Sequence, residues 1–385
     1  MRDIAVVTGY VVRCPLAGYA WQALHYLLGL RALGFDAYFY EDTEYFPDCY
    51  DPVSGEMGAP RPAALELSRD FFARHGFAER WIFWDAQRDR YAGRERDEAR
   101  AVLADAALLV GLAAVNRLPN NVGKRRVFVD LDPGVTQIQA QHDAGLRGVL
   151  DDFDVHFTIG ENIGQAGCAV PAGPWTWQPT RQPIALELWE PAAPKPDAAL
   201  TTIGRWDERR RVQQLGDTRY SWSKRDEWLK FIDLPRRTKA TFELAMDVDK
   251  NAADRALLAE HGWRMVDPLA LSIDPLLYRD YIRASRGEFT VAKELNVRLA
   301  TGWFSDRSAC YLAAARPVIV QDTGFHTTLP TGAGLLSFRT IDEATEAVRS
   351  VMADWELHSA AARRIAEQYF AAKWVLADLL DRAGV

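Results

Sequence analysis

Several things are scarce in this 385-residue chain, and each scarcity removes a class of function. The longest apolar run, Ala106–Val115, falls well short of the roughly 20 residues a membrane-spanning helix needs. Cysteine occurs only at Cys14, Cys49, Cys168 and Cys310. That scatter has neither zinc-ligand spacing nor the density of a disulfide framework, so separate thiols in a reducing compartment are expected. Basic excess is missing too. Lys+Arg total 46 against 53 Asp+Glu, a net charge of −7, which argues against a nucleic-acid partner because polyphosphates need a basic footprint. One nucleotide, however, needs only a local basic site. The N-terminus enters a strand, Ile4–Thr8, without a basic start and apolar stretch. A cytoplasmic protein with no membrane span is the expectation. There is no internal repeat, no Ser-His-Asp order, no His-Glu-x-x-His and no carboxylate pair. Asp130-Leu131-Asp132 has the spacing of a metal-binding acidic pair, but its place in the first half makes it read as coincidence. No metal and no cofactor are expected.

What is present is an ordinary globular composition, 48% hydrophobic and 26% charged, on a chain long enough for two domains. Ile4–Thr8, a Gly9–Gly18 loop, a helical pattern over Tyr19–Leu33 and a strand at Asp36–Tyr40 make a strand–helix–strand opening. Further strands are expected at Ala106–Val110, Val127–Asp130 and Asp154–Ile159. Residues 43–98 are aromatic, Pro-containing and charged, and two readings stand: an insertion packed on the sheet, or a segment part of which lines the acceptor pocket with its aromatic faces. Prolines at 171, 174, 179, 183, 191, 194 and 196 exclude a long helix and mark a linker. A second series restarts at Ala199–Arg205, with a basic stretch at Arg209-Arg210-Arg211 read as a solvated face. The last 45 residues, 341–385, form amphipathic helices. The expected organisation is therefore a Rossmann-like domain over 1–170, a linker over 171–196, a second Rossmann-like domain over 197–340, and terminal helices that return to the first domain.

The densest stretch runs from Ser285 to Pro330. Gly287-Glu288 is expected in a polar loop, followed by the turn Thr301-Gly302-Trp303-Phe304. Ser305-Asp306 then opens an apolar helix, because Ser and Asp supply acceptors for the free N–H groups of a first turn. The helix ends at Arg316-Pro317, Val318-Ile319-Val320 reads as a buried strand, and Gln321-Asp322-Thr323-Gly324 follows as an acidic loop. A helix N-terminus offers donors and a positive dipole end to phosphate, and the strand delivers its loop into the same crevice.

This arrangement resembles the donor-binding half of GT-B glycosyltransferases, two-Rossmann-domain enzymes that use nucleotide-sugars. The resemblance covers most of the chain in outline and about fifty residues sharply. Its fold class is α/β, two doubly wound domains facing across a cleft. It implies transfer of a sugar from a nucleotide-sugar, guessed to be a UDP-sugar, to a small-molecule acceptor, a natural product for example, without a bound metal. Two departures matter. No Gly precedes Pro317, and the helix lacks the acid that usually binds ribose; Ser308 or Cys310 falls near that place, so Glu288 or Glu294 is the substitute expected.

The resemblance places donor phosphates on the backbone around Gly302, Trp303, Ser305, Asp306, Arg307 and Ser308, with cations from Arg205, Lys224 and Lys293. It places the donor sugar on Gln321, Asp322, Thr323 and Gly324, with Asp322 the strongest choice because it follows an apolar strand and precedes a Gly. An inverting reaction needs a general base on the first domain, for which Asp132 ranks first, then Glu161 and His25. A retaining reaction needs none. Two alternatives remain: a GT-B epimerase or phosphorylase, and a catalytically silent partner protein.

Overall fold

The computed structural model describes residues 2–385 except 120, 194–196, 209–210 and 249–250. The strands of the first sheet are β1 (Ile4–Thr8), β2 (Asp36–Asp42), β3 (Trp81–Asp85), β4 (Arg90–Ala92), β5 (Ala106–Leu112), β6 (Arg125–Asp130), β7 (Val155–Thr158) and β8 (Trp177–Pro179). They lie in the order β8-β7-β6-β5-β1-β2-β3-β4, parallel except for β4 on the edge. β1 and β5 are apolar almost throughout, and β6 over Val127–Val129, because helices cover both faces of the sheet. Strand order reverses between β1 and β5, and the carboxyl ends of those two strands open a crevice.

The second sheet contains β9 (Leu200–Gly204), β10 (Phe242–Met246), β11 (Arg264–Met265), β12 (Gly287–Thr290), β13 (Val318–Gln321) and β14 (Leu335–Phe338). Its order, β11-β10-β9-β12-β13-β14, is parallel throughout and reverses between β9 and β12. The chain is therefore two Rossmann-like domains. They are held together by shared apolar packing. One cluster joins Phe128, Val135, Ile138 and Trp177 of the first domain to Trp222, Leu295 and Leu299 of the second. Elsewhere Trp21 packs with Tyr278 and Ile282, and its indole donates to the Pro275 carbonyl at 2.8 Å.

Two elements differ from their sequence reading. Gly287-Glu288 is not a polar loop but the start of β12, where Glu288 is 0% exposed. The proline-rich stretch is only partly a connection. Trp177–Pro179 pairs with β7, Ile184 bridges to Ala371, and Trp189 is buried against Trp21 and His25. Prolines exclude a long helix there, leaving a 3₁₀ turn at Leu186–Leu188, but they tolerate an edge strand. Of the basic stretch, Arg209 and Arg210 lie outside the described residues, and Arg211 pairs with Glu208 at 3.4 Å.

Helices Ile341–Ala353 and Trp355–Tyr369 pack on the second domain, whereas Ala372–Ala383 lies along helix Ala17–Ala32 of the first. Gly29 makes that contact close: a Cβ there would come within 2.5 Å of Leu376 Cδ1 and 3.1 Å of Ala372 Cβ. Arg125 donates to the Ala383 carbonyl at 2.6 Å and Arg382 to that of Pro179 at 2.8 Å. Gly29→Val is therefore expected to destabilise by about 1–3 kcal/mol through overpacking, read as a lower urea midpoint at unchanged m-value. Were the terminal helix not seated there, a side chain in place of a mid-helix Gly would stabilise.

Candidate functional site

The carboxyl ends of both sheets meet along a seam made largely of backbone. Gly160 pairs with Trp303 as an antiparallel bridge, and the Asn162 N–H donates to the Thr301 carbonyl at 3.1 Å. The Asn162 side-chain amide donates to the carbonyls of Ala300 and Gly324 at 3.0 and 3.2 Å. Gly302 has φ +76°, and a Cβ there would stand 2.8 Å from the Asn162 nitrogen, so only glycine allows the approach. Its N–H donates to the Thr323 carbonyl at 2.8 Å, and the Thr323 hydroxyl donates to that of Trp303 at 2.6 Å. Gly302, Trp303, Thr323 and Gly324 thus come together, but as the junction between domains. Glu161 belongs to the same junction. Arg181 holds both its oxygens at 2.7 and 2.9 Å and also donates to the Thr328 carbonyl, so this carboxylate is already occupied and is not a free base.

The helix Asp306–Ala313 starts as the sequence suggests, with Ser305 at its N-cap, but Ser305 makes no capping bond; its hydroxyl donates to the Asp306 carboxylate at 3.2 Å. Burial pushes the Asp306 carboxyl up from its ordinary range. Arg307 turns inward. Its Nε donates to Glu288 at 2.6 Å, Nη1 to the Ile203 carbonyl at 2.8 Å and Nη2 to the Thr290 hydroxyl at 3.1 Å. The side chain is a strut between the helix start and the ends of β9 and β12. Glu288 is consumed by that strut through one oxygen, while its second, Oε2, is buried without a hydrogen-bond partner. The Ser308 hydroxyl is likewise buried and unpartnered. Glu294 accepts from the Ser221 N–H and from Arg298.

Among the described residues, two cations in this crevice have no acid in ion-pair contact. Arg205, directly after β9, is exposed, lies 5.1 Å from the Tyr50 ring across the cleft, and has no ion pair among the described residues. Lys224 is 7% exposed, again without an ion pair among the described residues, its ammonium 5.9 Å from the Trp303 ring. Burial and then the nearby Arg307 push its pKa well below the usual lysine value, against the pull of Glu288. Lys293, by contrast, is neutralised by Glu208 at 3.2 Å and sits 3.8 Å over Trp222.

The first domain contributes its loop after β1. Glu41, fully buried on β2, accepts the N–H groups of Val11, Val12 and Arg13 at 2.7, 2.8 and 2.7 Å and so fixes that loop. Tyr10 and Tyr19 pack edge to face at 4.4 Å and line a small pocket with Gly9, Gln22, Ala23, Leu112 and Leu131 at the β1/β5 reversal. Asp132 lies in the turn after β6. Its N–H donates to Asp130, its charge acts on Tyr10, Tyr19 and Lys293, and its carboxylate has no hydrogen-bond partner among the described residues. His25 is elsewhere. It is 1% exposed inside the helix Ala17–Ala32, and the Trp189 indole donates to its Nε2 at 3.2 Å. Burial, then His75, lowers its pKa to about 3, so it is a neutral core residue rather than a base at the cleft.

Asp322 also has a different environment from the one expected. One oxygen accepts from the Gly324 N–H at 2.8 Å and from His326 at 2.9 Å; the other accepts twice from Arg339 at 2.9 and 2.6 Å. With every bond supplied from its own neighbourhood, the carboxylate has little left for a sugar hydroxyl. Gln321 is similarly used, accepting from the Ala292 N–H at 3.1 Å and donating to Glu227 at 2.6 Å. Among the described residues, no three His, Cys, Asp or Glu side chains are placed to hold a metal ion. Tyr10, Tyr19, Tyr50 and Asn162 are the cleft residues that the sequence reading missed or left unassigned. Tyr10 was detectable in principle, since it follows the first glycine after β1.

No family model and no curated protein matches the chain. Solved structures do. Sucrose-phosphate synthase from Thermosynechococcus elongatus is similar at TM-score 0.56 and 12% identity over 99% of both chains. An alpha-glucosyltransferase in complex with UDP and a 13-mer DNA containing a HMU base is similar at TM-score 0.59 and 8% identity over the whole of both chains. AviGT4, a glycosyltransferase involved in avilamycin A biosynthesis, is similar at 0.53 and 12% identity over 100% of this chain and 97% of that one. The fold is that of the GT-B enzymes.

The Asp322 network generates a pH-dependent expectation. Burial raises its pKa, but His326, the Gly324 N–H and Arg339 outweigh burial and leave the carboxyl below its ordinary value. Stability from this group is therefore present above the unfolded pKa, near 4, and lost as pH falls through the folded one. Asp322→Ala should cost about 1–3 kcal/mol at pH 7, at the lower end because Arg339 is 66% exposed and screened. Urea melts should show that difference narrowing below about pH 4.

Proposed function

We propose that the protein is a glycosyltransferase moving a sugar from a nucleotide-sugar, a UDP-sugar in our reading, to a small-molecule acceptor in the cleft. The observation that carries this is Lys224, an ammonium more than nine-tenths buried with no acid partner among the described residues. Such a group is costly unless an anion joins it. A donor diphosphate between the ends of β9 and β12 supplies that anion, and Arg205 supplies the second positive charge from the exposed side. Together they offset the negative charge that grows on the departing nucleotide, which is how a fixed cation accelerates bond cleavage. Arg307, already committed to Glu288, holds the helix start in place rather than donating to the ligand through its side chain.

On the other wall, Asp132 is the base for an inverting reaction. Its carboxylate is open, beside Tyr10 and Tyr19, and takes the proton of the acceptor hydroxyl as the oxygen attacks the anomeric carbon. The glycosidic bond to the diphosphate breaks as the new one forms, and the nucleotide leaves with the electron pair. Similar folds described in complex with UDP support the choice of nucleotide. The DNA in one of those complexes belongs to that protein; a net charge of −7 on this chain favours a small acceptor instead.

Two outcomes test the reading. Lys224→Met should raise Tm, because an unpaired buried charge is removed, while weakening UDP binding by about ten- to hundredfold, the worth of a charge-assisted hydrogen bond. Isothermal titration that finds UDP affinity unchanged refutes the donor site. Asp132→Asn should leave UDP affinity intact and lower turnover by about 10²–10⁴-fold. Full turnover in that variant removes Asp132 as the base and points to a retaining reaction.

A further inference from the structure

A second group of cations lies at the opposite edge of the second sheet, where the chain enters that domain. Arg283 is in the last turn of helix Pro275–Ala284, Arg286 stands just before β12, and Arg316 just before Pro317 and β13. Being at the amino ends of parallel strands, they are separated from the cleft by the thickness of the domain.

Arg316 is 0% exposed. Its Nη2 donates to the carbonyls of Ala192 and Arg283, tying the interdomain connection to the C-terminal turn of a helix, where carbonyls lack intrahelical partners. That accounts for one nitrogen. Nε and Nη1 are buried with no hydrogen-bond partner, and no carboxylate lies within ion-pair distance of Arg316 among the described residues. Trp355 covers the cluster, its ring 5.5 Å from the Arg316 guanidinium and 5.7 Å from that of Arg286. Arg283, with a side chain 28% exposed, borders the cluster on the solvent side; it donates to the Glu190 carbonyl at 2.9 Å and approaches the exposed Asp280 at 3.6 Å. Burial, then repulsion from Arg283 and Arg286, lowers the Arg316 pKa to about 10.

A clamp on two carbonyls needs only a neutral donor. A guanidinium buried beside two more positive charges, with donors left over, is instead complementary to a compact multiply charged anion. We propose that Arg283, Arg286 and Arg316 form a binding site for a phosphate group, free or as the phosphoryl end of a metabolite, at the junction of the connection and the second domain. An anion there joins the segment around Glu190–Ala192 to the helix end and the β13 start, so it stabilises the domain arrangement from the side away from the cleft.

The test is thermal unfolding in inorganic phosphate against chloride at matched ionic strength. Phosphate should raise Tm by about 2–5 °C at saturation. The rise should persist in the double variant Arg205→Gln/Lys224→Gln, which silences the cleft cations, and vanish in Arg316→Gln. Should Arg316→Gln fail to fold, Arg283→Gln and Arg286→Gln should each shrink the rise. Glycerol 3-phosphate distinguishes the sources: a larger rise than with inorganic phosphate identifies an esterified ligand, an equal or smaller one the free ion. No rise with either compound overturns the proposal. So does a rise that is lost in the cleft variant and retained in Arg316→Gln. Because the cleft variant is tested separately, failure here leaves the donor-site reading untouched, and the reverse.

Discussion

The contact between Glu288 and Arg307 is the one on which the geometry of the second domain's crevice depends. In a doubly wound sheet, the strands on either side of the reversal diverge at their carboxyl ends and the helix that follows has no reason of its own to point into the gap. Arg307 supplies the reason. It sits one residue inside the helix Asp306–Ala313, and its guanidinium engages the β9 end through Ile203 and β12 through Glu288 and Thr290. The pair is almost fully buried, with side chains 11% and 0% exposed, so removing either partner would leave an uncompensated charge in a low-dielectric site. A salt bridge of this kind contributes little net stability against an apolar pair of the same shape. What it supplies is register: the helix cannot slide or rotate without stranding a charge.

That constraint passes to the first domain through backbone. The turn at Gly302 that precedes the helix is bonded to the loop after β13 and to Asn162. Two glycines, at Gly302 and Gly324, have positive φ and leave no room for a Cβ against Asn162. The Arg307 strut, the Gly302 turn and the Asn162 loop therefore form one continuous set of short contacts between the two walls of the cleft. Domain closure is fixed here by polar geometry and elsewhere by the apolar clusters around Trp222 and Trp21.

Much of the fold was legible because its elements obey local rules. Val318-Ile319-Val320 between a Pro and an acidic Gly loop reads as a buried parallel strand and is one. The misreadings have a common cause, which is partners distant in sequence. Glu288 looks like a loop residue beside Arg286 and Gly287, yet Glu288 and Thr290 alternate with Phe289, whose ring packs against Trp228, Phe242 and Phe338 on the other face. Arg307 is what makes a carboxylate tolerable inside that strand, and nothing local announces it. Asp322 has every local mark of a ligand-binding acid, but Arg339, from beyond the next strand, takes one of its oxygens. Glu161 is lost to Arg181 in the same way. His25 shows the converse: a helix pattern gives its face, but only the fold brings Trp189 onto the ring and makes the site dry.

The same reasoning explains why the informative residues of this protein are its unmatched ones. Sequence gives the position of every charge, and with 46 basic and 53 acidic side chains most cations can find an acid nearby. The fold then sorts them. Lys293, Arg225 and Arg307 are each within 3.2 Å of a carboxylate, and their roles are accounted for by the structure they hold. Lys224 and Arg316 are more buried than those three, yet neither has an acid partner among the described residues. Burying a charge without its partner is among the more expensive things a chain can do; an apolar side chain would cost less at Lys224, and a neutral donor would serve the two carbonyls that Arg316 holds. Such cations underlie both proposed sites, and the two lie at opposite edges of the same sheet. One faces the cleft beside Trp303, the other the connection between domains beside Trp355. The second sheet thus carries an unmatched buried cation at each end, and an anion at either end would relieve the same kind of unmet burial.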